Sequence, residues 1–167
     1  MNKYIGVKLI EAEEASFEEA NLLKIGACKT IKEAREKFKG TALGIEKGKP
    51  GYAVRYPDGY ISWSPKDIFE KVYMQVETDL DMQSGVSVNE HMVKEFISHT
   101  ETSTIGDKTT MVRCVLRNGF EIIETASFVD AKNYNEKLGE KLCLEKLQHK
   151  IWYLLDFLLQ TAWHGIK

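Results

Sequence analysis

The stretch "GYAVRYPDGYISWSPKDIFEKVY", residues 51–73, spells out strand, turn, strand and helix in order. Tyr52, Val54 and Tyr56 alternate with Ala53 and Arg55, the period-two pattern of a pleated strand, which sends Arg55 to the opposite, solvent-facing side. Pro57-Asp58-Gly59 then supplies turn chemistry: a fixed φ, a side chain that bonds backbone, and a residue free to take φ > 0. The chain returns through "YISW". Ser64-Pro65-Lys66-Asp67 reads as an N-cap, a proline at the first helical position and an acid at the third, which predicts a short helix from about Pro65 to Tyr73. Tyr52, Tyr56, Tyr60 and Trp63 crowd this hairpin. Two readings stand: they form the core of a small sheet under helices, or some of them line a cleft with Arg55, Asp58, Ser62 and Lys66 where a planar or phosphorylated ligand stacks.

Upstream, residues 4–10, "YIGVKLI", read as a first strand with Gly6 marking a bulge or close approach. A helix over about 16–25 follows, where Ser16 and Glu19 have capping-box spacing and Phe17, Ala20 and Leu23 or Lys24 form a stripe. A second helix, "TIKEAREKFKG", pairs Thr30 with Glu33, lines up Ile31, Ala34 and Phe38, and stops at Gly40. Its Lys29, Lys32, Arg35, Lys37 and Lys39 interleave with Glu33 and Glu36, as on a salt-bridged solvated face. A loop rich in glycine and lysine leads to residue 51.

Downstream, residues 75–88 lose periodicity and read as a joint. Residues 1–75 carry 13 basic and 11 acidic side chains and the remainder 10 and 14, so net charge changes sign there. The second half opens with a helix, "VNEHMVKEFIS", capped by Ser87 with Glu90. A hairpin follows: "TMVRCVLR" and "FEIIETASF" flank Asn118-Gly119, which predicts a two-residue type I′ turn with Val115 facing Ile122 and Arg113 facing Glu124. From Asn133, or from Asp130, a helix of about 30 residues, roughly 45 Å long, closes the chain, with Gly139 as a possible bend. Its segment 151–163 is apolar on all sides and requires cover on all sides. An oligomer interface is therefore expected at Ile151, Trp152, Leu155, Leu158, Leu159 and Trp163.

The fold class is α+β: two small modules, 1–74 and 89–167, joined by 75–88, each with antiparallel hairpins and helices. At 167 residues, 43% hydrophobic and 29% charged, the chain is globular, with modules near the size at which a single core becomes marginal. A net charge of −2 gives no positive field for nucleic acid. The apolar run at the N-terminus is too short for a signal peptide and no segment reaches the roughly 20 apolar residues of a membrane span, which places the protein in the cytoplasm without a membrane role. Cys28, Cys114 and Cys143 are odd in number and widely spaced, as reduced buried thiols are.

Chemistry is sparse. "GIEKGKPG" has proline where a phosphate loop needs a hydroxyl, and neither GxGxxG, paired CxxC nor HExxH occurs. His91 and Glu95 stand four apart on a helix, but metal sites need three or four ligands. Cys114 sits mid-strand without a group to activate it. No metal or cofactor is implied, and binding is expected rather than catalysis.

The residues also carry resemblances. "YIGVKLIEAE" with "GYAVRYPDGYISWSPKDIFEKVY" resembles a small module of bacteriophage accessory proteins, a YIG strand followed by a DGY-x-SWSP hairpin and helix. Asn118, Gly119, Val129, Asp130, Tyr134, Gly139 and Trp152 match the pattern of a phage family named for gene forty-nine of phage N-four and gene sixty-six of a Shigella phage. These resemblances imply a phage context and the host cytoplasm. By analogy with small phage proteins, the expected role is non-enzymatic inhibition of a bacterial defence protein. The alternatives are a sponge for a defence signalling nucleotide and, more distantly, an enzyme acting on one with Asp58 as base. A homo-oligomer is expected in each case.

Overall fold

The computed structural model describes residues 3, 5–39, 49–77 and 85–166. Tyr4, the stop at Gly40, the loop through Gly48, the Phe38 side chain and residues 78–84 of the expected joint lie outside the described residues. The chain divides into two compact units, Met1–Gln75 and Val76–Lys167, each a three-stranded antiparallel sheet with helices, an α+β fold. No helix among the described residues is long and apolar enough to cross a membrane.

The first unit runs β1 (Glu11–Glu14), α1 (Phe17–Lys24), α2 (Ile31–Lys39), β2 (Gly51–Arg55), β3 (Ile61–Pro65) and α3 (Lys66–Val72). Its helix starts follow the sequence logic. The Ser16 hydroxyl accepts the Glu19 N–H at 3.2 Å while Glu19 accepts the Ser16 N–H at 2.8 Å, a complete capping box. At α2, Thr30 accepts the Glu33 N–H, but Glu33 reaches back to Lys29 instead of Thr30. The first strand lies at 11–14, not 4–10. It pairs with β2 from Glu11 opposite Arg55 to Glu14 opposite Tyr52, and β2 ends just before Pro57, so residues 5–10 have no ladder to join. Ser64 is likewise no cap. It lies in β3 opposite Tyr52, and Lys66 N–H bonds Pro50 O at 3.1 Å, so strand pairing runs directly into α3.

The second unit runs α4 (Glu90–Phe96), β4 (Ile97–Ile105), β5 (Thr109–Leu116), β6 (Glu121–Ser127), a 3₁₀ turn (Ala131–Asn133) and α5 (Glu136–His164). Asn89, not Ser87, caps α4 by accepting the Met92 N–H at 2.9 Å. Asn89 also bonds Glu77, and Val88 is buried, so part of the expected joint belongs to this unit. Asp130 caps the 3₁₀ turn and Asn135 caps α5 through the Leu138 N–H at 3.1 Å.

The hairpin exists, but its register differs by one residue. Gly119 takes φ +81° and among the described residues only glycines adopt positive φ, so Asn118 does not enter a type I′ turn. Leu116 N–H instead bonds Phe120 O at 2.8 Å across a three-residue loop, with Asn118 accepting the Phe120 N–H. Val115 therefore opposes Glu121, Arg113 opposes Ile123, and Val112 opposes Glu124. Strand β4, ISHTETSTI, with isoleucine only at its two ends and polar residues between, adds a third strand that the hydrophobic pattern did not reveal.

One face of this sheet is covered by α5. Thr110, Val112, Cys114 and Leu116 are buried on β5, and Gly139, Cys143, Leu147, Ile151 and Leu155 are buried at four-residue intervals on the helix. Burying each large aliphatic side chain here is worth about 1.5–3 kcal/mol. The approach is closest at Gly139, where an added methyl would sit 2.7 Å from Thr110 Cβ and closer still to its hydroxyl. Cover is one-sided, however. Tyr153 and Phe157 remain 73% and 66% exposed, so the second unit by itself does not cover 151–163 on all sides.

Two predictions follow from this packing. Gly139→Ala gains up to about 1 kcal/mol of helix propensity but meets Thr110 at a cost of about 1–3 kcal/mol, so urea unfolding should show net destabilisation. All three cysteines are buried, and burial pushes the Cys114 and Cys143 thiols above their usual range. Iodoacetamide at pH 8 should accordingly leave those two unmodified in the native chain and alkylate them once urea unfolds it.

Candidate functional site

The first unit places its sheet between helices, which sorts the hairpin residues by face. Ala53 and Trp63 oppose each other in the ladder and meet α1, where they join Ala15, Ala20, Leu23 and Ile31 in the core. The other face carries Tyr52, stacked on Phe69 of α3 with ring centroids 4.2 Å apart, and Phe69 stacks in turn on Tyr73 at 4.7 Å. Burial raises the Tyr52 and Tyr73 phenols above their usual range, and Tyr52 OH donates to Glu70 at 3.0 Å. Tyr52 and Trp63 are both half-buried, Tyr52 against α3 and Trp63 against the core beneath α1. The Trp63 indole N–H donates to Ala15 O at 2.9 Å, and Gly51 leaves room for its ring.

A cleft of about 230 Å³ opens where α1 meets β3, lined by Phe17, Asn21, Lys24, Tyr60, Ser62 and Trp63, with Ala20 at its base. Phe17 meets Trp63 edge-on at 5.7 Å, and the Lys24 ammonium lies 5.5 Å from the Tyr60 ring centre. Tyr60 and Phe17 are 53% and 55% exposed. The cleft thus joins two accessible aromatic faces to a cation, an amide and a hydroxyl. Three residues expected from the hairpin, Tyr60, Ser62 and Trp63, come together here. The α1 contribution was missed as a site, although Phe17, Asn21 and Lys24 follow one another at helical steps of four and three.

The other expected residues do structural work elsewhere. Arg55 is exposed and 3.8 Å from Glu11. Asp58 accepts the Tyr60 N–H at 3.0 Å inside the turn, with Gly59 at φ +84°. Tyr56 packs beside Tyr60 at 5.8 Å, with Lys8 over its ring. Lys66 bonds Glu14 at 2.8 Å and lies 3.7 Å from Glu70, an arrangement that lowers the Glu14 pKa and raises that of Lys66. His91 faces Glu77 at 2.8 Å and Glu95 at 3.8 Å.

In the second unit a shallow groove of about 400 Å³ lies between the turn and α5, lined by Phe120, Ile122, His149, Lys150, Tyr153 and Leu154. Of the expected interface residues, Ile151 and Leu155 face the sheet and are spent within the unit. Trp152, Leu158 and Trp163 are exposed, and Leu159 is half-buried. On the opposite face of the sheet, Arg113 bonds both Glu121 and Glu101, which raises its pKa and depresses that of Glu121.

Residues 87–163 match the phage protein family described as N4 Gp49/phage Sf6 gene 66. The matched segment runs from just before α4 almost to the end of α5, so it coincides with the helix, sheet and long helix of the second unit. No curated protein and no solved structure matches the chain.

Replacing the indole tests the division between core and cleft. Trp63→Phe leaves Ala15 O without its partner and removes packing volume, so urea unfolding should show a loss of about 1–3 kcal/mol. Tyr60→Ala, at an exposed position, should change stability by less than about 0.5 kcal/mol.

Proposed function

We propose that this phage protein acts against bacterial defence by binding, without chemistry, and that its cleft captures a planar, anionic host signal such as a signalling nucleotide. The observation that supports this reading is the grouping of Lys24, Asn21 and Ser62 beside the exposed faces of Tyr60 and Phe17. An aromatic face stacks a base and an ammonium meets a phosphate, each without sequence or bond-breaking requirements. Asp58 is engaged in the turn, which argues against its service as a base. The resemblance of the hairpin to a module of phage accessory proteins fits the same role.

A protein inhibitor is the second reading. Tyr60 beside Phe17 and Lys24 has the composition of an interface anchor, an exposed aromatic rimmed by polar groups. Trp63 contributes less than its sequence position implies, because its polar edge is already bonded to Ala15. That shifts weight from a two-aromatic hot spot to a ligand cleft. The host cytoplasm is the compartment in which either target would be met.

The full chain, incubated with cyclic dinucleotides and with ADP-ribose derivatives, then desalted and heated, should release one of them unchanged. Lys24→Ala should weaken retention about tenfold or more, the worth of one charge-assisted hydrogen bond. Release of an altered nucleotide would establish an enzyme instead, and no retention of either class would leave the inhibitor reading.

A further inference from the structure

The cleft between α1 and β3 is small for a signalling nucleotide. Its volume of about 230 Å³ lies under the ~300–1,000 Å³ of sites that enclose most of a drug-sized ligand. A cyclic dinucleotide or an ADP-ribose derivative carries two riboses and two phosphates, so only part of such a molecule enters. The walls select which part. Phe17 and Trp63 stand at 87° with their ring centroids 5.7 Å apart, a corner against which one planar ring can lie. Tyr60 is already shared between Tyr56, 5.8 Å away, and the Lys24 ammonium, 5.5 Å from its centre, so its part is to hold the cation.

Charge and span limit the ligand in the same way. Lys24 is the one charged side chain in the lining, and it has no ion-pair partner among the described residues. It stands in the last turn of α1, where the unpaired carbonyls form the negative end of the helix, so one phosphate is matched there and a second is repelled. Phe17 and Lys24 are the first and last residues of α1, seven positions and about 10.5 Å of helix rise apart on nearly the same face. A base and the phosphate on its own sugar fit that span, and a second base lies past the end of the helix. Asn21, between the two on the same face, carries an amide donor and acceptor side by side toward the edge of a base. We infer that the cleft takes up a single nucleotide unit, one base with the one phosphate of its own sugar, and leaves the rest of a larger signal outside. This inference rests on the nucleotide reading above. Phe17 receives the base, Asn21 meets its polar edge, and Lys24, held over Tyr60, meets the phosphate.

Equilibrium dialysis of the full chain tests this, with adenosine, guanosine, cytidine and uridine 5′-monophosphate set beside cyclic di-AMP, cyclic di-GMP and ADP-ribose. The tightest monophosphate should bind within about tenfold of the tightest larger compound, since atoms that stay in solvent add little affinity. Lys24→Ala and Phe17→Leu should each weaken the monophosphate and the larger compound by the same factor, about tenfold. Should Phe17→Leu disturb folding, Lys24→Ala, at an exposed position, is the variant to read. A larger compound that binds while every monophosphate falls short of that range overturns the single-unit inference and leaves the nucleotide reading standing. Monophosphate binding that ignores Lys24→Ala puts the site elsewhere and overturns the inference as well. If none of the seven compounds binds, the inference and the nucleotide reading fall together.

Discussion

Everything in the second unit depends on how closely α5 can approach β5. Gly139 sits on Thr110 with no room for a methyl group, and that contact sets the height of the helix above the sheet. Thr110 is fully buried, yet its hydroxyl is satisfied by Tyr134 at 3.1 Å, and the same tyrosine meets Thr104 at 2.6 Å. Toward the start of α5 the interface is polar: Thr104 donates to Glu136 and Thr102 to Glu140. Further along it becomes apolar, through Cys143, Leu147, Ile151 and Leu155. Directional bonds fix the rotation of the helix at one end, and burial supplies most of the energy along the rest. With its rotation fixed, the helix must present the opposite side outward, whatever residues lie there.

The first unit solves a different problem. The core between the sheet and α1 is built largely from alanine, with Ile31, Leu23 and Trp63 as its bulky members, so little apolar area is available there. Trp63 compensates by filling the gap between α1 and β3 and tying its indole to the backbone before α1. The small side chain of Ala20 leaves space beside the indole, and that space is the cleft. Most of the site stands on a helix and a strand, and Tyr60, just before β3, is tied into the turn by the bond from its N–H to Asp58, which holds it near Lys24 before any ligand arrives.

Local chemistry was legible in the sequence wherever a short segment determines its own conformation. Ser16 with Glu19 forms the box their spacing requires, and Pro57-Asp58-Gly59 turns where it should. The two modules and the closing helix follow from the same cues. Elements that depend on distant partners were not legible. Strand β1 is "EAEE", exposed throughout, and is a strand only because β2 lies beside it. Strand β4 hides its period in threonine, with Thr100, Thr102 and Thr104 on the helix side and His99, Glu101 and Ser103 on the other. The cleft was half legible for the same reason, since β3 residues sit in one run but their α1 partners come from forty residues earlier.

The one-residue difference in hairpin register shows which force decided. With a two-residue turn, Glu121, Ile123, Thr125 and Ser127 would face α5. With the observed three-residue loop, Ile122, Glu124 and Ala126 face it instead, and Phe128 beyond them packs edge-on against Tyr134 at 5.6 Å. The first arrangement buries one large apolar side chain and three polar ones. The second buries two large apolar side chains and a methyl at the cost of one carboxylate. Slipping by a residue exchanges the whole set, so turn preference at Asn118-Gly119 competes with several side chains at once and loses. The carboxylate is the weak point: one Glu124 oxygen is buried without a hydrogen bond, and its charge is met by Lys150 of α5. That ion pair joins α5 to β6. A cation of α5 thus offsets the carboxylate that the observed register draws inward.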